Sequence, residues 1–246
     1  ADDLSRNRQK HLPLSKRIEI LQNVATIMSE QKEDLALLAS KEGGKPLQDS
    51  LVEVVRAIDG IHLCIDGLRH DGGQVIPMNL NPASSGRVAF TQKEPIGVVV
   101  AVSAFNHPLN LIVHQVAPAV AVGCPVIVKP AGVTPLSCLR FVEILHQAGL
   151  DKCWCQALVI ADTSVSESLV TDPRVALFSF IGSGRIGWML RSKVAPGTRC
   201  LLEHGGVAPV IVFKDADIRK AIDHLLLGRL SNAGQSCIAP KRILLA

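Results

Sequence analysis

Three polar residues carry the chemistry this sequence can do. Cys237 stands in Ser231-Asn232-Ala233-Gly234-Gln235-Ser236-Cys237-Ile238-Ala239-Pro240, a Gly-flanked polar turn between a predicted helix and an apolar strand. Small residues at Ala233, Gly234 and Ser236 let the backbone turn tightly and leave the thiol uncovered. Upstream, Glu203 lies in Leu201-Leu202-Glu203-His204-Gly205-Gly206, and Asn106 in Ser103-Ala104-Phe105-Asn106-His107-Pro108. A nucleophile, a carboxylate and an amide donor, each at a strand end or turn, are the parts for covalent chemistry at a carbonyl. The thiolate attacks carbon, the amide receives the charge that develops on oxygen, and the carboxylate deprotonates water.

Each residue also has an ordinary structural role. A loop cysteine is usually buried, and Asn106 precedes Pro108 and an apolar helix as an N-cap would. Cys64, Cys124, Cys138, Cys153, Cys155 and Cys200 sit in apolar or helical settings and are read as structural. Cys153 and Cys155 are too close for a zinc knuckle and have no histidine nearby, so no metal site is expected.

The elements that must position these residues follow from periodicity. Residues 1–70 read as helical: Leu14, Ile18, Leu21, Val24 and Ile27 recur at helical spacing, and Gly43-Gly44-Lys45-Pro46 breaks the run before a helix over 47–68. Residues 74–82 and 87–94 read as two extended segments around a turn. From Pro95 apolar strands (96–102, 126–128, 156–160, 175–181, 200–202) alternate with helices (108–122, 136–147, 165–170, 186–193). Such alternation predicts an α/β fold, a Rossmann-like parallel sheet covered by helices on both faces. After Gly206 come a strand at 209–213, a helix over 215–230 and the Cys237 turn. The expected division is 1–206, a dinucleotide-binding domain, and 207–246, the opening of a second α/β domain.

Composition removes several function classes. A net charge of +4, evenly spread, gives no nucleic-acid footprint, and 3% aromatics with no Tyr leave no base-stacking platform. No apolar run is long enough to span a bilayer, so no membrane partner is expected. Seven scattered cysteines read as reduced thiols in a cytoplasmic protein. The missing initiator Met, and an end at Ala246 inside an apolar strand, lead us to expect a piece of a longer protein.

Four segments in order resemble the aldehyde dehydrogenase superfamily: Phe105-Asn106-His107-Pro108, Val126-Ile127-Val128-Lys129-Pro130-Ala131, Leu202-Glu203-His204-Gly205-Gly206 and Gly234-Gln235-Ser236-Cys237. The resemblance implies Cys237 as nucleophile, Asn106 as oxyanion donor and Glu203 as general base. It implies NAD bound by Lys129, Gly182, Ser183, Gly187, Ser103, Phe105 and Gly205, and an oligomerisation arm over 74–94. Gly132 stands where NAD-preferring relatives commonly carry Glu, so NADP remains open beside NAD. The activity implied is oxidation of an aldehyde to a carboxylate by a homodimer or homotetramer. His107 and Arg56 point to a small polar or anionic aldehyde.

Two alternatives accompany this reading. An acylating enzyme would pass the acyl group to coenzyme A, and a non-catalytic remnant would bind dinucleotide only. One residue also has two candidate duties. Gly182-Ser183-Gly184-Arg185-Ile186-Gly187 matches G-x-G-x-x-G, and Glu203 sits about 20 residues on, where that fingerprint places a ribose-binding acid. The resemblance makes Glu203 the base and gives the ribose to Lys129.

Overall fold

A computed structural model describes residues 1–246. The chain opens with α1 (Asp2–Arg6), α2 (Leu14–Glu30), α3 (Lys32–Gly43) and α4 (Leu47–His70). In α2 the residues Ile20, Leu21, Val24, Ala25 and Met28 form one buried stripe, the spacing an amphipathic helix requires. Gly44 ends α3 in the left-handed conformation, φ 61°, and Pro46 stands just before α4. The buried stripe of α4 is less orthodox: among Val54, Ala57, Ile61 and Ile65 it carries Ser50 and Glu53.

Next come β1 (Val75–Ile76), β2 (Ala89–Phe90), β3 (Val98–Val102), α5 (Asn110–Val122), β4 (Val126–Lys129), α6 (Leu136–Gln147) and β5 (Cys155–Ala157). They are followed by α7 (Thr163–Val170), β6 (Val175–Gly182), α8 (Gly184–Arg191), β7 (Arg199–His204), β8 (Pro209–Val212), α9 (Ile218–Leu230) and β9 (Arg242–Leu245). The central sheet is five-stranded, in the order β5-β4-β3-β6-β7, and every pair is parallel. The chain leaves β3 in one direction to β4 and β5, then returns to β3's other side with β6 and β7. That reversal opens a crevice at the carboxyl ends of β3 and β6, where doubly wound sheets take their ligands.

The expected α/β architecture is present, with four differences. Coverage is lopsided: helices α2 to α6 bury one sheet face in a cluster of 33 residues, whereas α7 and α8 bury only 6 on the other. Edge strand β7 is open, with Leu201 55% exposed, so it lacks the cover expected on both faces. The extended segments of the arm pair over only two residues each, and β5 spans three residues rather than five, because Leu158 to Ile160 run past the end of its ladder. Beyond Gly206, β8 and β9 form a separate parallel pair with α9 as the crossover. No helix is long and apolar enough to cross a membrane.

Candidate active site

The turn after β3 is held from two sides through one atom. The carbonyl oxygen of Asn106 accepts hydrogen bonds from Lys45 Nζ at 3.3 Å and from Asn232 Nδ2 at 3.0 Å. Lys45 comes from the α3–α4 break and Asn232 from the Cys237 turn, so the N-terminal helices and the Cys237 segment meet at this carbonyl. Asn106 is half-buried and its side-chain amide has no protein partner. The N-cap role open to it in the sequence is taken by another residue. Helix α5 starts at Asn110, and Glu53 Oε1 accepts the N–H groups of Leu109 at 2.8 Å and Asn110 at 2.9 Å.

Glu53 is thereby part of a buried ionic cluster. Its Oε2 lies 2.6 Å from Lys45 Nζ, and the two side chains are 0% and 1% exposed. Lys45 also contacts His107 Nδ1 at 3.1 Å, while His107 Nδ1 and Glu53 Oε2 are 3.6 Å apart, too far for a hydrogen bond. Burial pushes the Glu53 carboxyl up, but the Lys45 charge and hydrogen bond and the Asn110 N–H together hold it below its ordinary value.

The Cys237 turn is built from backbone that most residues avoid. Asn232, Ala233 and Gly234 are all left-handed, with φ of 56°, 57° and 73°. Only glycine adopts this region freely, and asparagine tolerates it better than most. The conformation is tethered at Asn232, whose N–H donates to Asp49 Oδ2 at 2.9 Å and whose side chain reaches Asn106. Gln235 Nε2 donates to the Gly43 carbonyl at 3.1 Å, a further tie to the α3–α4 break. The Cys237 side chain emerges exposed.

Glu203 is the penultimate residue of β7 and is exposed, with no ion-pair partner. The strand thus runs one residue beyond it, to His204, where the sequence suggests that Glu203 ends it. Three residues after Glu203, the Gly206 N–H donates to the Cys237 carbonyl at 3.2 Å, and Lys241 Nζ donates to the Gly206 carbonyl at 2.8 Å. Hydrogen bonds to backbone carbonyls therefore join the Asn106, Glu203 and Cys237 segments into one cluster.

The residues assigned to cofactor line the carboxyl edge of the sheet. Ser103 follows β3; its Oγ is buried and has no partner. Lys129 ends β4, half-buried, with Nζ donating to the Pro130 carbonyl at 3.0 Å, and burial lowers its pKa. Phe105 is exposed in the turn between β3 and α5. Ser183 precedes α8 without capping it, whereas carboxylates cover the first N–H groups of the helices after β3 and β4: Glu53 those of α5, and Glu42 those of α6. Gly205 N–H donates to the Gly182 carbonyl at 3.2 Å.

The fingerprint glycines answer to this chain's own side chains. A Cβ on Gly182 would lie 2.7 Å from Phe180 Cζ, and one on Gly187 would fall on His204 Nε2. His204 in turn packs edge-on against Trp188 and Phe180. Close helix–strand packing is the recognised duty of the third glycine in such a motif.

Arg56 stands apart. It is exposed on α4 and lines a shallow surface groove with Lys32, Gln48, Val52 and Val55. No hydrogen bond or ion pair joins it to the Asn106 turn. A groove of about 760 Å³ also lies elsewhere, between Phe90 of the arm, Pro95, His114 and Pro118 of α5, and Leu201. Of the other cysteines, Cys153 is exposed, contrary to its apolar setting in sequence, because it sits in the turn before β5.

Sequence reasoning missed Lys45, Glu53, Asp49 and Asn232. A signal for Glu53 was present: a glutamate on the apolar stripe of α4 needs a partner, and Lys45 stands eight residues earlier in the Gly-Gly-Lys-Pro break.

Comparison with known proteins places the chain in a family. The sequence profile of the aldehyde dehydrogenase family matches residues 3–246. The chain is 37% identical over 227 residues to the 3-sulfolactaldehyde dehydrogenase of Priestia aryabhattai, covering 92% of this chain and 47% of that one. Against the lactaldehyde dehydrogenase of Methanocaldococcus jannaschii it is 37% identical over 239 residues, 96% of this chain and 50% of the relative. Among solved structures, aldehyde dehydrogenase 21 from Physcomitrella patens, in complex with the reaction product succinate, superposes with a TM-score of 0.90 at 34% identity, over 100% of this chain and 51% of that one. The glyceraldehyde-3-phosphate dehydrogenase GapN of M. jannaschii, complexed with NADP, does so with a TM-score of 0.90 at 35% identity, over 99% and 53%. The chain thus spans about half the length of the relatives it matches. On the match along residues 3–246, it belongs to the aldehyde dehydrogenase family.

Proposed function

We propose that the protein oxidises a small polar or anionic aldehyde to a carboxylate with NAD or NADP, through a covalent intermediate on Cys237. The observation that carries this reading is the joining of three segments by two hydrogen bonds: the Asn232 side-chain amide donates to the Asn106 carbonyl, and the Gly206 N–H donates to the Cys237 carbonyl.

The Cys237 thiolate adds to the aldehyde carbon, a C–S bond forms and the carbonyl π pair moves to oxygen. The Asn106 amide, free of protein partners, donates to that oxyanion; a preorganised donor of this kind contributes about 10²–10³ in rate. A nicotinamide held at the carboxyl edge by Ser103 and Lys129 would supply the hydride acceptor that lets the thiohemiacetal on Cys237 become a thioester. Glu203 takes a proton from water, the oxygen adds to the thioester carbon, and the C–S bond breaks to return the thiolate and release the carboxylate.

The crevice suits a dinucleotide. The orphaned Ser103 Oγ and the Lys129 ammonium, with its single protein partner, offer polar groups to a ribose, and the uncapped start of α8 suits a pyrophosphate. Two matched structures are complexed with NADP, and Gly132 places no carboxylate near Lys129 to repel a 2′-phosphate. The tie between Gly206 and Cys237 favours Glu203 as base over ribose ligand. The substrate class rests on His107 and on the relatives named for 3-sulfolactaldehyde, lactaldehyde and succinate semialdehyde.

The deciding experiment is stopped-flow cofactor reduction with lactaldehyde and the Glu203→Gln variant. One equivalent of reduced cofactor per Cys237, followed by a stall, is expected. Steady turnover at the unaltered rate removes Glu203 from the base role, and stimulation by coenzyme A would make the protein an acylating enzyme instead.

A further inference from the structure

We propose that the Lys45–Glu53 ion pair locks His107 in its Nε2–H tautomer, making it a fixed hydrogen-bond donor that selects aldehydes carrying an acceptor oxygen beside the carbonyl. The inference deepens the substrate reading above and rests on it for the place of the cleft.

The argument begins with a proton count. A lysine ammonium has three N–H donors and no lone pair. Lys45 Nζ has three partners within hydrogen-bond range: Glu53 Oε2 at 2.6 Å, His107 Nδ1 at 3.1 Å and Asn106 O at 3.3 Å. Every donor is used, and the ring nitrogen facing Nζ must be an acceptor. An N–H at Nδ1 would point a proton at an ammonium. Its nearest alternative acceptor, Glu53 Oε2, lies 3.6 Å away and is already held by Lys45. The bare nitrogen is therefore Nδ1, and the proton of the imidazole sits on Nε2.

The ring also bridges interior and surface. Its Nδ1 edge meets side chains that are 0–1% exposed, whereas His107 itself is 27% exposed. With the Nδ1 edge against buried side chains, the exposed part of the ring is assigned to the opposite edge, with Nε2–H. His107 directly follows Asn106, whose carbonyl is bonded to the Cys237 turn. A donor without an acceptor function thus stands beside the oxyanion turn. It favours a hydroxyl, carboxylate or sulfonate oxygen on the substrate and gives nothing to a plain alkyl chain. Lys45 and Glu53 are positioning residues here, and His107 determines specificity.

Two measurements test the proposal on the full chain. In a long-range ¹H–¹⁵N spectrum of labelled protein, the His107 signals are those lost in His107→Asn. The nitrogen correlated with both ring protons, Nε2, is expected at the protonated, pyrrole-type shift and Nδ1 at the pyridine-type shift. In Lys45→Met the two shifts should move together as the tautomers mix. A pyrrole-type Nδ1, or a doubly protonated ring at neutral pH, overturns the lock. So does a Lys45→Met spectrum identical to that of the parent.

The second measurement is the ratio of kcat/KM for lactaldehyde over propionaldehyde, which differ by one hydroxyl. His107→Asn should reduce that ratio about 10-fold, and the corresponding ratio for an anionic aldehyde by up to about 100-fold, the range expected for losing one neutral or one charge-assisted hydrogen bond. His107→Gln, whose amide places an N–H near the Nε2 position, should restore most of it. Equal ratios in all three proteins refute the selection. A chain that oxidises neither aldehyde refutes the functional reading instead, while the spectrum still decides the tautomer.

Discussion

Removing the charge of Lys45 isolates the energetic weight of the buried cluster. In Lys45→Met the Glu53 carboxylate keeps its two backbone donors at 2.8 and 2.9 Å but loses the ammonium at 2.6 Å, in a place where it is 0% exposed. Breaking a buried pair from one side costs roughly 3–5 kcal/mol, because a charge is left without its partner. Protonation of Glu53 sets a ceiling. Holding a carboxyl of ordinary pKa about 4.3 neutral at pH 7 costs about 3.7 kcal/mol, at 1.36 kcal/mol per pH unit. The expected loss is therefore about 3–4 kcal/mol, or about 6–16 °C in Tm at the roughly 2–4 °C per kcal/mol of a chain this size. The pH dependence has a definite sign. In the parent, the Glu53 pKa is depressed, so its contribution is present above the unfolded value and is lost as pH falls through the folded value. In Lys45→Met the folded pKa is raised instead, so the deficit should shrink by about 2.7 kcal/mol between pH 7 and pH 5. Urea titrations at both pH values measure this. The double variant Lys45→Met/Glu53→Gln keeps the cap on α5 without a charge and should recover most of the loss. A deficit under about 1 kcal/mol at pH 7, one that does not change at pH 5, or a double variant no better than the single would refute the reasoning.

Two further outcomes are expected. Brief iodoacetamide treatment of the folded chain at pH 7.5, read by peptide mapping, should label Cys237 and Cys153 and spare Cys138 and Cys155. The first two are exposed, whereas burial pushes the Cys138 thiol up to about 12 and raises Cys155 further; rapid labelling of Cys138 would contradict the packing of α6. Gly187→Ala drives a methyl into His204 Nε2 and should lower stability by about 1–3 kcal/mol. His204→Ala in the same chain should return much of it, and a Gly187→Ala variant as stable as its parent would mean that the motif's last glycine does not serve the α8–β7 contact.

The fold was legible in the sequence wherever one element's own residues determine it. The α2 stripe, the break at Gly44 and the apolar runs of β3, β4 and β6 are local signals, and each gives an element near its predicted place. Errors arose where a neighbour decides. The open face of β7 depends on what packs against it, and β5 is cut short because the ladder it shares with β4 ends at Val128 and Ala157. The start of α5 is a similar case. Asn106 and Pro108 suggest a cap by local rules, yet the helix begins at Asn110 because a carboxylate from α4 satisfies its first N–H groups.

The same division explains what was visible of the candidate site. Cys237, Glu203 and Asn106 show because each stands in a short segment of glycine and small residues whose backbone demands are local. Lys45, Glu53, Asp49 and Asn232 are hidden because their work is done across separations of 61, 56, 183 and 126 residues. Yet those four help to bring the segments of the visible three together. One carbonyl, that of Asn106, accepts a hydrogen bond from a lysine of the N-terminal helices and another from an amide of the Cys237 turn. A shift of either partner would move the amide donor relative to the thiol, and misplacement of about 1 Å can cost about 10²-fold in rate. A buried ion pair adds little net stability, since desolvation offsets most of its attraction. Its position at the root of this turn is better accounted for by geometry: the pair leaves the Asn106 carbonyl, the His107 ring and the first N–H groups of α5 one satisfied arrangement, and that arrangement is bonded through Asn232 to the turn that carries Cys237.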